Sequence, residues 1–274
     1  RGRRGASLSM RSYTSSPADS ICWGSTPRSE CETKDMADFD AVFFDLDGTL
    51  WDNKACGDYQ FDVVLPKLSP HLPEDEPLER VHRHFNGALI EMTKKRGLAT
   101  RSKFSSLTRF RHLLESYEIK KEGLARHLAT RYDSARRLGM RSFVRRGACQ
   151  VLRCLRRNGL TTGLITNGSH AVQRHTLSNL GLAQWLDYVV IGEIEGFDKP
   201  DPRLFHRAAD MAEVSPEKML FVGDSLITDI LGASRAGVPA AWLHEEDARI
   251  PRGLPVPDYD IESLNDLLAL VEET

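Results

Sequence analysis

Five short apolar runs, each ending abruptly in polar residues, constrain this chain more than any other feature. "AVFFDLD" (41–47) stops at two carboxylates before Gly48, and "LTTGLITNG" (160–168) stops at Thr166, Asn167 and Gly168. "YVVIGE" (188–193), "MLFVGDS" (219–225) and "PAAWLH" (239–244) repeat the form. Runs of this length without alternation suit strands buried on both faces of a parallel sheet. Helical periodicity fills 147–158, 170–180, 201–212 and 228–236, the last stopping at Gly237 as a helix C-cap does. Strands joined by helices imply right-handed βαβ units, hence an α/β fold with a parallel sheet covered on both sides.

Residues 54–144 break this alternation. They contain no convincing strand and carry helical patterns over 76–96, 102–117 and 121–138, with Pro66, Pro70, Pro73 and Pro77 punctuating the first part. An inserted helical unit at this point would lie over the carboxyl edge of the sheet, where open α/β folds bind ligands. A lid that closes over the site is the expectation. The organisation read from the sequence is therefore an N-terminal extension (1–38), an α/β core (39–53 and 145–274) and a helical cap (54–144).

Residues 1–35 are rich in Ser and Arg, and acidic residues are missing from the first eighteen. Such a segment buries too little apolar surface to fold alone, and it resembles an organelle transit peptide as much as an untranslated leader before Met36. A cytoplasmic location is expected, or an organelle if the extension is a genuine transit segment. The 37 basic and 39 acidic residues leave a formal charge of −2, too little field to recruit nucleic acid or an anionic membrane. Apolar runs also fall short of the roughly 20 residues that span a bilayer. A small-molecule partner is what remains, and oligomeric state is not legible. Five cysteines without a C-x-x-C pair suit neither a full disulfide framework nor a zinc site, and reduced thiols are expected.

If the sheet is parallel, the strand ends converge. Asp45 and Asp47 lie two residues apart, which on an extended chain places both on one side of the backbone. Two carboxylates that close repel each other unless a cation lies between them. Taken singly, these residues could be turn formers, Asp224 and Asp229 helix N-caps, and Lys199 a solvated side chain.

Together they resemble a known family. "FFDLDGTLWD" (43–52), "LITNG" (164–168), Lys199 in "DKPDPRLF" and "VGDSLITD" (222–229) match, in order, the four motifs of the haloacid dehalogenase superfamily of hydrolases. The resemblance covers about residues 40–272 and implies a Rossmann-like core with a C1-type helical cap. It also implies a phosphatase that uses Mg2+ on a phosphate monoester. By the same resemblance Asp45 is the nucleophile that becomes an aspartyl-phosphate, and Asp47 the general acid and base. Thr166, Asn167 and Lys199 bind the phosphoryl group. Asp45, the backbone carbonyl of Asp47, and Asp224 hold the metal, while Asp229 orients a metal-bound water. Two other reactions of the fold stay open, a dehalogenase and a phosphomutase, although the former lacks an acid at the position of Asp47.

"VVIGEIEGFDKPDPRLF" and the tail "PVPDYDIESLNDLLALV" (255–271) resemble the N-acylneuraminate-9-phosphatase-like group, which implies a sugar phosphate substrate. Nucleotide monophosphates and phosphoglycolate stay open beside it. Specificity is expected to reside in the cap, which is basic (Arg80, Arg83, Lys94, Lys95, Arg96, Arg101, Arg109, Arg111, Arg131, Arg136, Arg137 and Arg141). Most of these cations suit solvated helix faces; one or two could meet a carboxylate or second phosphate on the substrate.

Overall fold

The computed structural model describes residues 39–96, 105–245 and 247–270. In chain order the elements are β1 (Ala41–Phe44), α1 (Asn53–Leu68), α2 (Leu78–Arg96), α3 (Ser106–Ser116), α4 (Leu124–Gly139), α5 (Ala148–Arg157), β2 (Thr161–Thr166), α6 (His170–Leu180) and β3 (Tyr188–Ile191). There follow α7 (Gly192–Glu195), α8 (Pro202–Ala212), β4 (Met219–Gly223), a π-helical turn (Leu226–Ile230) running into α9 (Leu231–Ala236), β5 (Ala240–Leu243), β6 (Tyr259–Ile261) and α10 (Asp266–Leu270). The N-terminal extension and Arg101 lie outside the described residues.

All six strands are parallel, in the order β3-β2-β1-β4-β5-β6. The sheet grows from β1 toward β3 on one side and from β4 toward β6 on the other. The order therefore reverses between β1 and β4, which opens a crevice at their carboxyl ends. The period-two alternation within β1 divides the core. Val42 and Phe44 join one apolar cluster with Val151, Leu152 and Leu155 of α5 and Leu177 and Leu180 of α6. Ala41 and Phe43 join a second with Leu204, Phe205 and Ala208 of α8 and Ala233 of α9. Residue 163 must be Gly, since a Cβ there would drive into the ring of Phe43 on the neighbouring strand.

The strands fall inside the expected runs, each a little shorter, because the polar end of every run has already left the sheet. Beyond the short turn of α7, which takes over the end of the 188–193 run, two further elements were not expected. Helix α1 carries Pro66 in its last turn and has no clean apolar stripe, although Asp52 caps its start by accepting from the Ala55 N–H at 2.9 Å. Strand β6 is only three residues long and follows a Pro-rich stretch. A correction also applies to the thiols: Cys56 is free and buried, but Cys149 and Cys154 are not free thiols. An odd cysteine count does not settle the state of any individual thiol.

Helices α1–α4 have an apolar cluster of their own, built from Phe61, Val64 and Leu68, Val81 and Phe85, Phe110 and Leu113, and Leu128 and Tyr132. Phe85, Phe110 and Tyr132 pack ring against ring, with centroids 4.6 to 5.7 Å apart. The chain enters and leaves this helical unit side by side. Trp51 pairs with Val144, the Asp52 N–H donates to Phe143 O at 2.9 Å, and the Arg145 N–H donates to Leu50 O at 3.0 Å. Among the described residues, no helix is long and apolar enough to cross a membrane.

Candidate active site

The site begins where β1 ends. Beyond Phe44 the chain leaves the extended conformation: the N–H groups of Leu50 and Trp51 both turn back to Leu46 O at 3.1 Å, and Gly48 takes φ +97°. Only Gly fits there, because a Cβ would collide with the Asp224 carboxylate as well as strain the backbone. The period-two argument for Asp45 and Asp47 is thereby corrected, since a turn and not a strand presents them. The Asp45 N–H still donates to Val222 O at 2.9 Å, which ties the turn to β4 across the crevice.

Four sequence-distant groups meet at this point. Lys199 donates through Nζ to Asp45 Oδ1 at 2.6 Å and to Asp229 Oδ1 at 2.7 Å, and all three side chains are buried. Asn167 fixes the lysine's backbone from both sides: its Oδ1 accepts from the Lys199 N–H at 2.7 Å and its Nδ2 donates to Lys199 O at 2.9 Å. Asp229 comes from the π-helical turn, and its Oδ2 accepts from the Ser225 N–H at 3.0 Å. Asp224 follows β4. Its Oδ1 accepts from the Thr49 hydroxyl at 3.3 Å, and its carbonyl accepts from Trp242 Nε1 at 2.9 Å.

Burial sets the electrostatics. It pushes the Asp45 carboxyl well above the usual carboxylate range; Lys199 pulls it back, and Asp229 and Asp47 push it up again. Burial alone would lower the Lys199 ammonium, but Asp229 and Asp45 outweigh it and hold the group above its ordinary value. Burial also raises Asp224, with Asp229 adding to the effect, to about 6.

The residues suit a hard divalent cation. Asp45, Asp224 and Asp229 each offer a carboxylate oxygen, and the three lie within 4.8 Å of one another. Oxygen donors of this kind are what magnesium selects. Asp229 is brought into the acidic group and is at the same time paired with Lys199. The Asp47 carboxylate points elsewhere: its Oδ2 accepts from Gln173 Nε2 at 3.0 Å, and the residue lines a cavity of about 240 Å³ beneath the helical unit. Trp51 from the core and Asn86, Arg109, Tyr132 and Arg136 from the helices line the same space.

Gln173 was missed by sequence reasoning. Its Nε2 also lies 3.1 Å from Thr166 Oγ1 and 2.8 Å from Asn167 O, so one amide organises Asp47 and the β2 loop together. Its position in the first turns of the helix after "LITNG" was the signal available. Thr166 is buried. The Asn167 amide, expected to face a ligand, is instead engaged by the backbone of Lys199.

Residues 39–237 match the haloacid dehalogenase-like hydrolase family. Over 240 residues the chain is 28% identical to the glyceraldehyde 3-phosphate phosphatase of Pyrococcus furiosus, covering 84% of this chain and 92% of that enzyme. It is 34% identical to the mouse (Mus musculus) N-acylneuraminate-9-phosphatase, but over 110 residues, 40% of this chain and 44% of that enzyme. Among solved structures, the hydrolase YfnB of Bacillus subtilis, bound to magnesium, superposes with a TM-score of 0.64 at 24% identity, covering 85% of this chain and 99% of that one. A 2-haloacid dehalogenase of Pseudomonas syringae gives 0.60 at 26% identity, covering 85% and 97%.

Proposed function

Because the chain belongs to the haloacid dehalogenase-like hydrolase family, we propose that this enzyme is a phosphoric monoester hydrolase that cleaves a small-molecule phosphate through an aspartyl-phosphate on Asp45. The observation that carries the proposal is the buried Lys199 ammonium bridging Asp45 and Asp229 at 2.6 and 2.7 Å, with the Asp224 carboxylate beside them. Phosphoryl transfer asks a protein mainly for alignment and for neutralisation of spreading negative charge. This cluster supplies both.

In the proposed sequence a carboxylate oxygen of Asp45 attacks phosphorus in line with the leaving oxygen. Asp47, at the floor of the cavity, gives that oxygen its proton, and Gln173 fixes the orientation of the carboxyl group. Asp47 then takes a proton from water, which attacks the phosphorus of the acyl phosphate and restores Asp45. Lys199 compensates charge on Asp45 throughout, and the Thr166 hydroxyl and the backbone N–H of Asn167 are offered to phosphoryl oxygens. Magnesium held by Asp45, Asp224 and the Asp47 carbonyl would supply positive charge to the phosphoryl oxygens and to the clustered carboxylates. The helical unit 54–144 acts as the cap that excludes water.

The carboxyl group of Asp47 in the cavity favours ester hydrolysis over dehalogenation, which needs no acid for its leaving group. The relatives' names span glyceraldehyde 3-phosphate, phosphoserine and N-acylneuraminate 9-phosphate. The three-carbon phosphate in the name of the Pyrococcus furiosus relative, matched over 92% of that enzyme, favours a leaving group of a few carbons over the nine-carbon acylated sugar of the mouse relative, matched over 44% of its length. The test is hydrolysis of an aryl phosphate with magnesium, with chelator, and with Asp45→Asn. Activity lost in the last two supports the reading, and undiminished turnover by Asp45→Asn rejects it.

A further inference from the structure

The cavity above Asp47 is lined by more positive than negative charge: Lys54, Arg109 and Arg136 against Asp47 and Asp58. Arg109 is the unusual member. Its guanidinium lies 3.8 Å from the centre of the Phe85 ring and 5.9 Å from that of Tyr132, and Nη2 donates to Asn86 Oδ1 at 2.7 Å. Among the described residues it has no carboxylate within ion-pair distance, and its Nε–H is buried without a partner. The indole N–H of Trp51, another residue lining this cavity, is likewise buried and unpartnered. Beside it, Arg136 stands 5.0 Å over the Trp51 ring and donates to Thr176 Oγ1 at 3.2 Å. Both orphaned groups are donors, and a guanidinium N–H buried without a partner is costly unless an acceptor arrives.

We propose that the leaving group of the substrate carries an anionic group, a carboxylate or a second phosphate, which Arg109 binds with Arg136 beside it. This rests on the phosphatase reading above. It narrows the substrate to a short phosphorylated acid or bisphosphate, with the scissile phosphate at Asp45 and the second anion under the cap. Arg109 is then the residue that selects substrate, and a neutral sugar phosphate of the same length is a poor one.

The experiment compares kcat/KM for three probes of one chain length: glyceraldehyde 3-phosphate, 3-phosphoglycerate and propane-1,3-diyl bisphosphate. The expected result is a preference of roughly 100-fold, mainly through KM, for at least one anionic probe over the aldehyde, the scale of a charge-assisted contact made in a dry site. Which of the two anions wins assigns carboxylate or phosphate. In Arg109→Met the ratio falls to within about threefold, and in Arg109→Lys part of it returns. A ratio taken on one preparation is independent of the fraction folded, so loss of cap stability does not imitate this outcome. Equal turnover of all three probes, or a ratio unchanged in Arg109→Met, overturns the anionic pocket while leaving the phosphatase reading intact. Turnover of none of them, nor of an aryl phosphate, overturns both.

Discussion

Removing the Lys199 ammonium tests the electrostatic design of the site apart from catalysis. The side chain is 2% exposed, and its two carboxylate partners are 9% and 1% exposed at 2.6 and 2.7 Å. Lys199→Met keeps the stem and deletes the charge, leaving Asp45 and Asp229 facing each other without a cation. Breaking a buried pair from one side costs about 3–5 kcal/mol. A domain of this size loses about 2–4 °C per kcal/mol, so the metal-free variant should melt roughly 6–20 °C below the parent at neutral pH.

The pH dependence has a definite sign. Lys199 is held above its ordinary pKa, so its contribution is fully present below the unfolded value and constant between pH 5 and 8. Asp45 is raised already by burial and loses in the variant the group that lowers it. A raised carboxyl contributes stability below its unfolded pKa and loses it as pH rises through the folded value. The deficit of the variant must therefore shrink from pH 8 to pH 5. Calorimetric melts with chelator across that range read both quantities. A variant within about 1 °C of the parent at pH 7.5, or a deficit that grows on acidification, would refute the argument.

Asp47→Asn should lower kcat by roughly two to four orders of magnitude, and Gln173→Leu by about tenfold with a displaced pH–rate profile, because the latter loosens the acid without removing it; an unchanged profile in steady-state kinetics would deny Gln173 that role. Asp224, raised to about 6, should make protons compete with magnesium: calorimetric affinity weakens as pH falls from 7.5 to 5, while the metal-free protein gains stability from this group over the same interval. Affinity that stays flat across pH 6 would speak against it. Burial, more than the opposing pull of Arg136, lifts the Cys56 thiol to about 11, so alkylation of Cys56 in the native enzyme at pH 8 should be slow and become fast only in denaturant, as peptide mass analysis can follow.

The core was legible because parallel strands buried on both faces announce themselves as unbroken apolar runs, and all five expected runs hold strands of one sheet. Strand β6 was not, since Tyr259–Ile261 is too short to carry a pattern and owes its pairing to the edge that β5 offers. Helix α1 was hidden by Pro66 and by apolar residues that follow no single stripe, while its burial is decided by α4 packing against it. Within the site, residue types and motif order pointed to Asp45, Lys199 and Asp224. The roles of Asn167 and Gln173 depend on side-chain direction, which spacing does not encode. The same holds for Asp45 and Asp47, where a turn closed by Gly48 does what extended geometry was expected to do.

The central claim is that the phosphoryl group rests on Asp45 between substrate and water. The stereochemical course at phosphorus, followed with a substrate made chiral by oxygen isotopes, tests it without requiring the intermediate to accumulate. Two successive in-line displacements give net retention of configuration, the result expected here. Net inversion would mean that water attacks the substrate directly and that Asp45 is not the nucleophile.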